Sequence, residues 1–144
     1  MDTACVAQVR VRFAETDASG IAYYGSYLLY SEFGRVELFR ALGLAYSWRI
    51  PIRETHWRYH RSACFDDLLE IHTTVQEVRT RAFRLKSDIH RRHDDGSLEL
   101  LAESTTVMVH VGDDRRPTPL PDGFRQILMR DGLRAQPSEG IDGS

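Results

Sequence analysis

The chain has 144 residues, 42% of them hydrophobic, and a formal charge of −2 at pH 7, which fits one soluble globular domain with a sizeable core. A balance so near neutral, with basic residues scattered along the chain, excludes nucleic acid and an anionic membrane surface as partners. No apolar run approaches the roughly 20 residues of a bilayer span, and the opening MDTACVAQVR has no signal-peptide pattern, so a cytoplasmic protein without membrane insertion is expected.

In chain order, Gln8–Phe13 alternates Val9, Val11 and Phe13 against Gln8, Arg10 and Arg12, the period of a strand. A turn at Ala18-Ser19-Gly20 follows. The pattern then predicts a helix from Tyr24 to Leu42, closed by Gly43 as the residue after its last turn. Its few polar positions point in nearly opposite directions, Glu32 and Arg35 on one side and Glu37 and Arg40 on the other. A helix apolar in most directions is expected to be covered in most directions. Glu32 and Arg35 sit three apart, and either pair with each other or act across a subunit interface.

The rest of the chain reads as the cover. Thr55, Trp57 and Tyr59 alternate along RETHWRYH; Leu69, Ile71, Thr73 and Val75 along DLLEIHTTVQEV; Phe83, Leu85, Ser87 and Ile89 along AFRLKSDIHR. His93–Gly96, HDDG, is a hairpin signal, and LLAESTTVMVHV is a further long strand. RPTPLP breaks the sheet, and DGFRQILMR reads as a closing helix with Asp122 as its N-cap. The order strand, long helix, four long strands, short helix gives an α+β fold: a curved antiparallel sheet of about five strands around a long central helix. One domain is expected over residues 1–134, and the small polar stretch 135–144 as a disordered tail. The outer face and edge of the sheet are expected to stay partly apolar and to drive oligomerisation.

Two cysteines, Cys5 and Cys64, form no C-x-x-C pair and are expected as buried or half-buried free thiols. His56 and His60, four apart on a strand, lie some ~13 Å from each other, and His90 and His93 have no obvious third ligand. No metal and no cofactor are expected, and P-loop, dinucleotide and serine-elbow motifs are missing.

Asp17 carries the chemistry. In TDASG an aspartate often bonds the backbone two residues on, as an ordinary turn residue. Yet this loop feeds the N-terminus of a mostly apolar helix, where unpaired N–H groups and a partial positive charge reside. Gly25, in YYGSY, lets a second molecule approach the backbone. A carboxylate there stays ionised, and the N–H groups can polarise a carbonyl. The carboxylate, or a water it activates, can then attack that carbonyl. A thioester fits because its thiolate leaves readily.

FAETDASGIAYYGSY resembles the signature of the hot-dog-fold acyl-CoA thioesterases, in particular the 4-hydroxybenzoyl-CoA thioesterase branch: an aromatic strand end, D-x-x-G, a short apolar stretch, an aromatic pair and a tyrosine. RYHRSACFDDLLEIHTTV and PLPDGFRQIL are similar to later family segments, so the resemblance covers Gln8 to Leu128. It implies a hot-dog fold with Asp17 as nucleophile or general base, and Tyr24, beside Gly25, as the residue whose backbone N–H meets the thioester oxygen. Many relatives have His at the position of Tyr24 and Asn at that of Ser26; a backbone donor survives the first change, whereas the second removes an amide. Thr16, Ser19, Tyr23, Ser26, Tyr27 and Arg35 are the candidate substrate contacts, and Arg79 and Arg81 in EVRTRAFR, with Arg61, the candidate grips for coenzyme A.

The expected activity is hydrolysis of an acyl group on coenzyme A or an acyl carrier protein, by a homo-oligomer, a dimer or tetramer of hot-dog units. Tyr23, Tyr24, Tyr27, Tyr30 and Trp57 suit an aryl or polyunsaturated acyl chain, and chain release in polyketide synthesis is a variant. The alternatives are a hot-dog dehydratase or hydratase, against which the loop's lack of histidine speaks, and a non-catalytic acyl-thioester-binding protein.

Overall fold

The computed structural model describes residues 5–132, with the side chains of 131 and 132 left aside; the expected tail 135–144 lies outside them. Strand β1 (Cys5–Arg10) is followed by a 3₁₀ turn (Phe13–Glu15), helix α1 (Tyr24–Leu42), strands β2 (Ile52–Tyr59), β3 (Leu68–Val78), β4 (Ala82–Arg92) and β5 (Leu98–Val109), and helix α2 (Asp122–Ile127). The five strands form one antiparallel sheet in the order β1-β3-β4-β5-β2. β1 and β2 are therefore its edges. No helix among the described residues is long and apolar enough to cross a membrane.

Helix α1 has 19 residues and ends at Gly43, whose φ of +74° is left-handed, a conformation that favours glycine. It lies on β1, β3 and β4. The side chains predicted to point inward from β3 and β4 do so: Leu69, Ile71, Thr73, Val75, Phe83, Leu85, Ser87 and Ile89 are all buried. The core has two clusters. Tyr27, Tyr30, Leu69, Ile71, Ile89 and Ala102 gather under the first half of α1. Leu38, Phe39, Val75, Phe83, Leu85 and Met108 gather under the second, where Leu120 and Leu128 close the end. Between them a row of small hydroxyl residues, Thr73, Ser87 and Ser104, runs in register across β3, β4 and β5, ending opposite Trp57 on β2.

Several expectations are corrected. β1 stops at Arg10, because the chain turns at Arg12, whose amide donates to the Glu15 carboxylate at 2.9 Å; Phe13 accordingly points to solvent, 74% exposed. Asp122 opens α2 as its first helical residue, with Pro121 at the cap position. α1 is covered on one side only, and Leu28, Leu29 and Phe33 on the other are exposed. Cys64 is exposed rather than half-buried. The outer face of the sheet is partly apolar, with Val6 and Leu100 exposed, and it also carries a charged network: Lys86 bonds Asp88 and Glu103, and His60 bonds Glu103.

Glu70 anchors this charged face. It is buried, accepting from Gln8 at 3.0 Å and Arg92 at 2.6 Å, with His72 at 3.1 Å. Burial pushes its carboxyl up, but His72, Gln8 and Arg92 outweigh that and bring it down to about 2. A depressed carboxyl contributes stability above its unfolded value and loses it as pH falls through the folded one. Urea unfolding should therefore show about 2 kcal/mol less stability at pH 3 than at pH 7 from this group, a difference that Glu70→Gln removes.

Candidate active site

Residues 16–22 form a tight loop between the 3₁₀ turn and α1. Thr16 bridges Ala22, the Asp17 amide donates to the Ile21 carbonyl at 2.9 Å, and the Gly20 amide to the Asp17 carbonyl at 3.0 Å. Gly20 takes φ +84°, which a side chain would resist. A second layer of bonds docks this loop on the segment before β3: Ala22 donates to Ala63 at 2.8 Å, Phe65 donates to Gly20 at 3.0 Å, and Ile21 bridges Cys64.

The Asp17 carboxylate is exposed and bonded within its own loop. Oδ1 accepts the Ser19 amide at 2.8 Å and the Ser19 hydroxyl at 2.6 Å. That is the local turn bond, and it also fixes the carboxylate's orientation. Oδ2 takes no hydrogen bond among the described residues. The Ser19 hydroxyl and then its amide hold the carboxyl below its ordinary value, so Asp17 is ionised at neutral pH. Ala22, bridged to Thr16, stands two residues before the first helical residue, Tyr24. At that end of α1 the Ser26 amide turns back to the Tyr23 carbonyl at 2.9 Å, while the amides of Tyr24 and Gly25 meet no acceptor among the described residues, as expected for a first helical turn. A carboxylate oxygen and open amides thus belong to adjoining segments.

The other predicted contacts separate into two groups. Tyr23 and Tyr24 are exposed, Tyr24 at 77%. Thr16 donates to the Phe13 carbonyl at 2.8 Å and closes the 3₁₀ turn. Ser26 is buried and donates to the Glu15 carbonyl at 2.8 Å. Tyr27 is buried, its hydroxyl accepting the Ala63 amide at 3.0 Å. Arg35 is buried against the Tyr46 and Ser31 hydroxyls at 3.1 and 2.8 Å, not paired with Glu32. Within one protomer the polar atoms of Ser26, Tyr27 and Arg35 are therefore engaged by the frame. The missing side chain of Gly25 seats the Tyr23 ring: a Cβ there would meet it at 3.0 Å.

Aromatic surface surrounds the open end. Tyr59 stacks on Trp57 at 5.7 Å and meets Tyr27 at 5.2 Å, and Phe13 meets Phe65 edge-on at 5.5 Å. Tyr23, Tyr24, Tyr59, Phe13 and Phe65 all keep faces in solvent.

The basic residues lie elsewhere. Arg79 and Arg81, with Arg53 and Arg84, line a 350 Å³ cavity that also holds Glu77. Glu77 pairs with Arg79 and, at 2.7 Å, with Arg84. Arg61 instead bonds Glu99 at 3.3 Å, and its amide donates to Leu101, at the Asp17 end of the sheet. Seven residues of β4 separate the two ends, from Ala82 to Ile89, roughly 23 Å. Arg61 and the Arg79–Arg81 pair therefore cannot form one patch in a single protomer. Among the described residues no group of three His, Cys, Asp or Glu side chains is placed to hold a metal ion.

Sheet order, the helix on one face and the carboxylate loop ahead of it define a hot-dog thioesterase unit. Residues 11–128 match the family model of the thioesterase-like superfamily, and the chain belongs to that family. It is 35% identical over 78 residues to the acyl-CoA thioester hydrolase YbgC of Escherichia coli O6:H1, a match spanning 49% of this chain and 58% of YbgC. It is 24% identical over 117 residues to the 4-hydroxybenzoyl-CoA thioesterase of Pseudomonas sp. strain CBS-3, spanning 74% of this chain and 82% of that enzyme. The solved structure of the latter superposes with a TM-score of 0.77 at 22% identity, covering 88% of this chain and 99% of it. That of the Thermus thermophilus protein TT1821 superposes with 0.79 at 28% identity, covering 88% and 98%.

Proposed function

We propose that this chain hydrolyses acyl thioesters of coenzyme A, giving the free acid and the thiol, with Asp17 as the reacting carboxylate. The observation that carries this reading is the division of labour on Asp17: Oδ1 is held by Ser19 while Oδ2 is open, beside a helix start with free amides. Those amides, of Tyr24 and Gly25, receive the thioester oxygen as negative charge develops on it. Oδ2 either attacks the thioester carbon, expelling the thiolate and leaving a mixed anhydride for water to cleave, or takes a proton from the water that attacks that carbon. The exposed aromatic faces favour an aryl or polyunsaturated acyl group. An acyl carrier protein, which ends in the same pantetheine arm, is the second carrier to be compared, as in polyketide chain release.

The distance between the carboxylate and the arginine cavity supports a homo-oligomer as the working unit. Self-pairing of the edge strand β2 about a two-fold axis is antiparallel. It sets Tyr59 of one copy beside Arg53 at the mouth of the other's cavity, so that Asp17 of one copy and Arg79 and Arg81 of its partner serve one substrate. The resulting pair of hot-dog units, or a tetramer of them, is read as a single-domain cytoplasmic enzyme, one domain per chain over residues 1–134.

Thiol release from aryl-CoA, fatty acyl-CoA and carrier-bound acyl substrates tests the activity. Binding without release would replace it by an acyl-thioester-binding protein, and hydration or dehydration of the acyl chain by a lyase. For the cavity, Arg81→Glu should raise KM for an acyl-CoA about tenfold, the worth of one charge-assisted phosphate contact, and leave KM for the same acyl group on N-acetylcysteamine unchanged.

A further inference from the structure

We propose that Glu15 and Tyr30 form a positioning clamp that fixes the spacing between the Asp17 loop and the amide-bearing start of α1; this rests on the thioesterase reading above. Glu15 is 4% exposed, and a buried carboxylate is costly unless its oxygens are satisfied. They are. Oε1 accepts the Arg12 amide at 2.9 Å and the Tyr30 hydroxyl at 3.0 Å. Oε2 accepts Arg12 Nε at 2.8 Å and Nη2 at 2.6 Å. The Glu15 carbonyl accepts the Ser26 hydroxyl at 2.8 Å and the Tyr23 amide at 3.3 Å.

One residue therefore grips the N-cap residue Tyr23 and α1 at positions 26 and 30, one face at spacings of three and four. Tyr30, itself buried, meets Tyr27 edge-on at 5.8 Å. Tyr27 ties the far side of the loop through Ala63, whose carbonyl holds the Ala22 amide. The two tyrosines, one helical turn apart, thus bind the segments entering and leaving the Asp17 loop. Asp17 stands two residues after Glu15, and its own bonds, to Ser19, Gly20 and Ile21, stay inside the loop. Its position relative to the Tyr24 and Gly25 amides is set by Glu15 on the entering side and by the Ala63–Phe65 segment on the other. Burial pushes the Glu15 carboxyl up, yet the Arg12 and Tyr30 bonds outweigh that and keep it below its ordinary value, while burial and then Glu15 push the Tyr30 phenol up. At neutral pH the pair is a carboxylate and a phenol, the states in which the bond forms.

A displacement of about 1 Å between reacting groups costs on the order of a hundredfold in rate. Glu15→Gln, Tyr30→Phe and Asp17→Asn are to be assayed on one acyl-CoA, with kcat, KM and Tm for each. The clamp predicts that Tyr30→Phe lowers kcat ten- to a hundredfold with KM within about twofold. Adding Tyr30→Phe to Asp17→Asn should cause no further loss, because no carboxylate is left to position. Should Glu15→Gln fail to fold, Tyr30→Phe, which deletes one oxygen, decides alone. Unchanged kcat in Tyr30→Phe beside a dead Asp17→Asn overturns the clamp and leaves the activity standing. KM rising in step with the fall in kcat makes Tyr30 merely structural and also overturns it. Full turnover by Asp17→Asn overturns the underlying reading instead.

Discussion

Asp17→Asn should lower kcat for acyl-CoA hydrolysis by about a thousandfold or more and leave Tm unchanged. Asparagine keeps the oxygen that Ser19 holds, since Oδ1 accepts both the amide and the hydroxyl of that residue, so the loop has no reason to move. What disappears is the charge on Oδ2. An amide neither attacks a thioester carbon nor takes a proton from water near neutral pH. The side chain is exposed, so its removal from the charged state has little effect on folding. The pH dependence of the parent protein follows from the same bonds. Ser19 holds the Asp17 carboxyl below its ordinary value; the reactive carboxylate is present above that lowered value and is lost as pH falls through it. The acid limb of kcat/KM should therefore lie below the 3.8 of an unperturbed aspartate. A limb at pH 6 or 7 would assign the rate to another group. The fold weakens over the same range as Glu70 protonates, so the profile has to be read from brief exposures to acid. Rapid-quench mass spectrometry of the Asp17 peptide separates the two chemical routes: an acyl adduct marks attack by Oδ2, and its absence at full turnover marks activated water.

How much of this could be read beforehand depends on how local the cause is. The bounds of α1 follow from Tyr24 to Gly43 because a left-handed glycine stops a helix by its own geometry. The inward faces of β3 and β4 follow from strict alternation. Periodicity carries β1 three residues too far because Val9, Val11 and Phe13 continue the alternation while Arg12 and Glu15 close a turn that it does not register. A helical wheel reports which directions of α1 are apolar, not what lies in them; Leu28, Leu29 and Phe33 are exposed, so one apolar direction stays uncovered within the described residues. The charged network on the outer face of the sheet is not legible although Glu70, His72, Lys86, Asp88 and His90 are all polar in sequence, since their pairing across strands is visible only once register is known. Asp17 is legible as the candidate for the reacting group because its neighbours, Ser19 and Gly20, are turn residues next to a helix start. Glu15 was missed. Its signal, an acid three residues after Arg12 and two before Asp17, has no meaning until Tyr30 is brought to it by the packing of α1. Tyr27, Ser26 and Arg35 were legible as residues of the site region, yet sequence alone could not say that their polar atoms turn inward.

The same packing makes Gly34 the position least able to change. A Cβ built there would stand 2.5 Å from Ile71 Cγ2 and 2.5 Å from Thr73 Oγ1. Both residues are fully buried on β3, and both are β-branched, so neither atom swings away by a cheap rotation. The helix has to lift from the sheet, opening the contacts of Tyr30 and Leu38 one turn to either side. Overpacking of this kind costs up to about 3 kcal/mol and occasionally more. The gain from replacing a mid-helix glycine by alanine, about 1 kcal/mol, is too small to cancel it. Gly34→Ala should therefore be destabilised by about 2 kcal/mol net, the overpacking cost lying near the top of its range because two stiff contacts are violated at once, and Tm should fall by roughly 7 °C. Deleting the offending atoms gives the decisive comparison. Ile71→Ala and Thr73→Ala each weaken the parent by opening space, but in the Gly34→Ala background they relieve the clash, so the cycle should show a favourable coupling of more than about 1 kcal/mol. Strict additivity would mean that α1 does not approach β3 this closely. The clamp between Glu15 and Tyr30, which depends on where the helix lies, would then lose its geometry as well.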